Sequence, residues 1–193
     1  MVVFRSFTPK RQVISKQVGS HTDHRDELIV DFQRRCGYCN DCDTWRFAWY
    51  EIDHFVPQKH LKTIHKTDYS NLVYACRSCN NSKSAHWPTG SETVHHENNA
   101  GFIDPCDNTY NTQFSRSDSG RIVPETELGT WMYNKLKLYK PQHEIIWNIE
   151  QLDVLITECE GLLNELPDGS IKDRLLLLYQ NYRDYTKQLG NVN

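Results

Sequence analysis

Apolar and polar positions change their spacing several times along the chain, and each change predicts an element. Between Ser20 and Arg35, Leu28, Ile29 and Phe32 form an apolar stripe at helical spacing. Ser20 or Thr22 can cap that helix, Asp23, Asp26 and Glu27 suit its first turns, and Arg34 and Arg35 suit its C-terminal end. Gly37 then breaks it. From Thr44 to Asp53 the apolar residues Trp45, Phe47 and Trp49 alternate with other residues, followed by Tyr50 and Ile52, which predicts a strand. Leu72 to Ala75 predicts a second, short strand. A short helix is predicted from Asn80, ending before Pro88 because the residue preceding a proline disfavours helix.

The stretches between are less regular. Residues 1–19 lack periodicity and read as an extended arm or short strand, residues 56–70 as a loop, and residues 89–100 as an exposed polar connection. Phe114 and Ile122 flank the turn signal Asp118-Ser119-Gly120, which predicts a hairpin, and Leu128, Trp131, Met132 and Leu136 predict a short helix over 125–138. Beyond Pro141, which suits the first position of a helix, Ile145, Ile146, Ile149, Leu152, Leu155 and Ile156 recur at mostly three- and four-residue steps. Pro167-Asp168-Gly169-Ser170 reads as a turn in which Ser170 and Asp173 cap a second helix, and Gly190 reads as that helix's stop. These elements predict an α+β fold. Its segments are an arm and helix over 1–35, a small ββα core over 36–88, an extension with a hairpin and a short helix over 89–140, and an antiparallel helical hairpin over 141–193.

Charge sharpens this division. The chain of 193 residues has a formal net charge of −3, which alone argues against nucleic-acid binding. Residues 34–87, however, hold eight Lys/Arg against five acids, whereas residues 141–193 hold four against nine. A locally basic centre fits phosphate, and an acidic tail faces elsewhere. No segment is long and apolar enough for a signal peptide or a membrane span, so the expectation is a soluble, cytoplasmic protein without membrane contact.

Seven cysteines without a secretion signal favour metal over disulfides. Cys36, Cys39, Cys76 and Cys79 form two Cys-x-x-Cys pairs far apart in sequence, the spacing of a four-thiolate zinc site, with zinc as a structural cofactor. Such a site contributes on the order of 10 kcal/mol to folding. Cys42 is close enough to compete with Cys39 as a ligand, and Cys106 and Cys159 read as ordinary thiols.

Between and beside the two pairs stand Asp53-His54 at a strand end, Asn71, and Asn80 with Lys83 three residues on. Together they resemble the HNH endonucleases, whose ββα-metal motif clasps one divalent cation; the resemblance covers roughly residues 36–84. Asn80 stands where the family's name has its last His, as in the variants that include the HNH domains of CRISPR effector nucleases. The resemblance implies DNA cleavage with 5′-phosphate and 3′-hydroxyl ends. It implies a catalytic set of His54, Asp53, Asn71, Asn80 and Lys83, in which Asn71 pins the loop that orients His54. His54 is the general base, since a neutral imidazole takes a water proton near neutral pH. Asp53 and Asn80 offer hard oxygen ligands, which favour Mg²⁺ or Mn²⁺, with Asn81 the rival of Asn80. Arg77, Lys83, Lys59 and Lys62 are the candidate nucleic-acid contacts.

The segments Gly101-Phe-Ile-Asp-Pro-Cys106, Gln113-Phe-Ser-Arg116, Gly120-Arg-Ile-Val-Pro124 and Leu136-Lys-Leu138 resemble the C-terminal extension of standalone bacterial HNH proteins. Some of these act in anti-phage systems of retron and Septu type beside a partner ATPase. That likeness implies an effector nuclease restrained or activated by a sensor subunit, with the acidic hairpin 141–189 either its docking surface or an element that packs on the nuclease core. The contrasting reading is a non-catalytic, zinc-stabilised module that binds nucleic acid or protein within a larger complex; it leaves Asp53, His54, Asn71 and Asn80 without a shared purpose.

Overall fold

Two stretches of β-branched and aromatic residues pair at the centre of the chain, and the rest of the first unit is built on them. In the computed structural model, which describes residues 2–45, 50–165 and 169–192, strand β2 (Tyr50–His54) runs antiparallel to β3 (Leu72–Cys76). Asp53 lies opposite Val73 and His54 opposite Leu72. Because side chains alternate along a strand, Asp53 shares one face with Glu51 while His54 shares the other with Ile52. Every residue of β3 is buried, as expected of a strand covered on both sides.

Ser20 and Asp23 form a capping box over a 3₁₀ turn (His21–His24) that leads into α1 (Arg25–Asp31), where Leu28 is fully buried. The helix stops short of Arg35. Gln33 and Arg34 adopt positive φ (51° and 59°), turning the chain toward the first cysteine pair, and Arg34 meets the buried Asp43 at 2.8 Å. Asp43–Trp45 is a 3₁₀ turn where strand was expected; Phe47 and Trp49 lie outside the described residues. Helix α2 (Arg77–Lys83) begins directly after β3, three residues ahead of the expected start at Asn80. Asn80 therefore sits inside the helix. One helical turn brings Cys79 back over Cys76, which fixes the start there.

Residues 89–100 are not a plain connection. They contain β4 (His96–Glu97), which pairs with β5 (Ala100–Gly101), and Asn98 and Asn99 take the positive φ angles (50° and 59°) of a tight hairpin turn. The expected later hairpin forms from β6 (Phe114–Arg116) and β7 (Ile122–Pro124), and the N-terminal arm adds β1 (Val2–Val3) to its edge. Helix α3 (Glu127–Leu136) is capped by Thr126, whose hydroxyl accepts from the Gly129 N–H at 2.8 Å, and it buries Leu128, Met132 and Leu136. These elements share one core that includes Phe32, Tyr38, Leu72, Tyr74, Phe102 and Tyr110.

The chain divides into two compact units. The first comprises everything up to Asp118 together with Ile122–Tyr139; the second comprises Ser119–Arg121 and Lys140 onward. In the second, α4 (Pro141–Glu165) opens at its proline as expected and packs on α5 (Gly169–Asn191) through Ile156, Cys159 and Leu178. Pro167 and Asp168 lie outside the described residues. Helix α5 already includes Gly169, so Ser170 belongs to its first turn and is not a cap. Gly190 sits in its last turn instead of stopping it, since glycine in an exposed helix end costs only about 1 kcal/mol relative to Ala. Gly120, at φ 91°, lies against Trp147, where a Cβ would fall 2.4 Å from the ring. Among the described residues no helix is long and apolar enough to cross a membrane.

Candidate active site

Cys36, Cys39, Cys76 and Cys79 converge: their four sulfurs lie within 4.8 Å of one another and all four residues are buried. The Cys39 and Cys76 sulfurs are 3.8 Å apart, matching the edge of about 3.8 Å for a tetrahedron with zinc–sulfur bonds of about 2.3 Å. Burial pushes the Cys39 thiol well up, and hydrogen bonding to Cys36 raises Cys76 and Cys79. Cys36 goes the other way: against the effect of its burial, hydrogen bonds with Cys39, Cys76 and Cys79 together bring its thiol well down. Four buried sulfurs converging on one point, one of them favouring the thiolate, call for a cation and fit zinc. Cys42 stays outside the cluster, with its sulfur against the Thr44 hydroxyl at 2.9 Å.

The first knuckle is held from outside the motif. Arg5 donates to the Gly37 carbonyl (3.2 Å), Tyr110 to the Tyr38 carbonyl (2.7 Å) and Arg116 to the Cys39 carbonyl (3.1 Å). Gly37 itself donates to the Tyr74 carbonyl at 2.8 Å, tying the knuckle to β3.

At the end of β2 the two faces carry different chemistry. On one, the His54 Nε2 is 2.6 Å from the Lys66 carbonyl oxygen. A carbonyl only accepts, so Nε2 bears the proton and Nδ1 is the basic nitrogen. The Gln58 amide is 3.4 Å from Nδ1, and the His21 ring packs 4.5 Å from the His54 ring. Burial, and then the proximity of His54, lower the pKa of His21. The turn after His54 is clamped by Asn71, whose amide accepts from the Val56 N–H (2.8 Å) and donates to the Val56 carbonyl (3.0 Å).

On the other face, Asp53 Oδ2 accepts from Tyr38 (2.6 Å) and faces the Lys83 ammonium at 2.9 Å. Its Oδ1 has no partner among the described residues. Burial raises the Asp53 pKa, with Lys83 and the Tyr38 hydroxyl acting against it. Asn80 donates its amide N–H to Glu51 at 2.7 Å, which leaves its carbonyl oxygen as the remaining donor atom. Asp53 Oδ1 and Asn80 Oδ1, hard oxygens on the α2 side of β2, fit magnesium or manganese in kind. Asn81 is exposed.

Lys83 departs from the expected phosphate contact. It is fully buried and also donates to the His54 carbonyl at 2.8 Å, so no phosphate reaches it. Arg77, Lys59 and Lys62 are exposed, with Arg77 3.6 Å from Glu51. Glu51, Tyr38 and His21 were not singled out from the sequence. Two-residue alternation puts Glu51 beside Asp53 and could have found it. Tyr38 and His21 reach the site through tertiary packing, which no local signal records.

Residues 36–86 match the family model HNH endonuclease. No curated protein and no solved structure matches the chain.

Proposed function

We propose that the HNH domain over 36–86 makes this chain a metal-dependent endonuclease that hydrolyses DNA phosphodiester bonds. The observation that carries the reading is the His54 imidazole. Its protonated nitrogen is tied to the Lys66 carbonyl, and its basic nitrogen, with the Gln58 amide at a long 3.4 Å, is the one that would take a water's proton, one residue along the strand from Asp53. In the proposed reaction His54 Nδ1 takes a proton from the attacking water, whose oxygen bonds to phosphorus as the bond to the 3′-oxygen breaks. Asp53 and Asn80 would hold a divalent cation, which when bound supplies positive charge to the phosphate and the leaving oxygen. Glu51 orients Asn80, Lys83 and Tyr38 hold Asp53, and Asn71 fixes the turn that presents His54. A 5′-phosphate and a 3′-hydroxyl result.

In the same reading the chain is an effector of anti-phage defence working with a partner ATPase. The support is the likeness of the short segments between Gly101 and Leu138 to such proteins, and the exposed Val154, Leu162, Leu176 and Leu177 on the α4–α5 unit. The test is plasmid cleavage with Mg²⁺ or Mn²⁺, by the chain alone and with the co-expressed products of adjacent genes. Wild-type protein should cut, and His54→Ala should lose about 100-fold or more in rate with its zinc content unchanged. Cleavage by His54→Ala at the wild-type rate would refute the assignment, and the absence of cleavage under every condition would favour a non-catalytic binding module.

A further inference from the structure

A cavity of about 490 Å³ is lined by Ile14, Gln17, His24, His65, Asp68 and Tyr69 among others, a size in the usual range for small-ligand sites. Two short chain connections tie its wall to the residues that hold the His54 ring. His65 and Thr67, both in its wall, flank Lys66, whose carbonyl holds the His54 ring. His24 follows on the same 3₁₀ turn as His21, whose ring packs on His54.

The chemistry of the wall selects among ligands. A phosphate would need converging cations, but Lys16 is the one Lys or Arg in the lining, its side chain is 55% exposed, and the Asp68 carboxylate shares the wall. What the cavity does offer is the exposed ring of His65 and polar edges, the His24 and Tyr69 rings in its wall being buried. His24 meets Tyr69 edge-on at 5.1 Å, and His65 is pinned by the Thr67 hydroxyl at 2.7 Å. His24 is 1% exposed, and its Nδ1 has no hydrogen-bond partner. A buried polar atom left unpaired costs about 1–3 kcal/mol, so a ligand toward which the His24 ring turns and which supplies it a partner would recover that cost. A neighbouring depression of about 600 Å³ shares Ile14, Asp68 and Tyr69 and reaches Lys10, giving the next stretch of a strand somewhere to run.

We propose that this cavity takes the nucleobase of the nucleotide adjoining the scissile phosphate, so that the substrate is DNA whose base at the cut is unpaired. The inference rests on the endonuclease reading for the identity of the reaction centre. A paired base must be pulled from its stack at a cost of a few kcal/mol before it can enter, whereas a base in a single strand or a loop enters without that cost. Stacking on the exposed His65 ring then returns about 1–3 kcal/mol.

The experiment uses the full-length zinc-loaded His54→Ala protein and a single-stranded oligodeoxynucleotide carrying one 2-aminopurine, without added Mg²⁺ or Mn²⁺. The fluorophore should respond saturably on binding. Unlabelled single strand should compete, and a blunt duplex of the same sequence should not. Gln17→Trp, which fills the cavity from an exposed arm position, should weaken the response about tenfold or more. Ile14→Trp, checked for zinc content, serves as a second block. Equal competition by the duplex, or a response that neither block alters, would overturn the proposal. The two readings can fail separately. Wild-type protein that cuts paired and unpaired sites equally, with no fluorophore response, keeps the nuclease and removes the pocket. A response blocked by Gln17→Trp in a chain that never cuts keeps the pocket and removes the nuclease.

Discussion

Glu92 shows what one carboxylate does for the loop that carries His54's orienting carbonyl. Its oxygens accept from the backbone N–H groups of Lys62, Thr63 and Ile64 and from the Thr63 hydroxyl, at 2.8–3.1 Å. Those bonds, the Ile64 N–H foremost, hold its pKa down to about 2, against an ordinary 4.5. A carboxyl depressed by folding stabilises the fold above its unfolded pKa and loses that contribution as pH falls through its folded pKa. The amides of residues 62–64 should therefore exchange slowly at pH 6 and faster in Glu92→Gln, and the difference should close between about pH 4.5 and 2. Exchange that is the same in both proteins at pH 6 would show that the loop is held by other means. Nothing in residues 89–100 announces this: a Glu in a polar stretch reads as solvated until a loop some thirty residues upstream folds over it. Lys83 is the same lesson reversed. Its place three residues after Asn80 was legible, but its burial against Asp53 was not, because a lysine in sequence reads as exposed.

At the scale of elements, cysteine spacing carried most of what could be read. Two Cys-x-x-Cys pairs predicted the cluster outright, because only a short turn presents two sulfurs to one point. The boundaries around it were harder to place. Arg-Ser-Cys-Asn is a weak opening for a helix by propensity, yet α2 starts at Arg77 because Cys76 and Cys79 must face the same point. The end of α1 is likewise set by left-handed residues that turn into the first knuckle. The same reasoning predicts how the cluster fails. Cys76→Ser should lose the zinc and, with it, cooperative unfolding, while Cys42→Ser should keep one zinc per chain by elemental analysis. Gly37→Ala keeps all four ligands but sets a Cβ 2.8 Å from both Phe32 and Val73; it should lower stability by about 1–3 kcal/mol in urea unfolding. Zinc retained at wild-type level in Cys76→Ser would mean that a different thiol set binds the metal.

Across the whole molecule, charge is divided more sharply than the net value of −3 conveys. Lys59, Lys62 and Lys66 are exposed along the loop that joins β2 to β3, next to the proposed cut site, and the helical segment beyond Lys140 carries the excess of acids. This asymmetry was readable by counting, since surface charge needs no packing partner; which lysines face solvent was not, as Lys83 shows. If the loop lysines meet phosphates, each contact releases counterions and adds to the salt dependence of binding. Removing Lys59 and Lys62 together should weaken binding about equally across sequences. It should also flatten the plot of log affinity against log salt by about 1.4 on single strands or about 1.8 on duplex. Measured on both forms, the slope also bears on the substrate, because a chain that draws one base into a cavity should keep its stronger binding for the single strand after both lysines are gone. An unchanged slope would move the phosphate path to the N-terminal arm, where Lys10 and Lys16 border the two cavities.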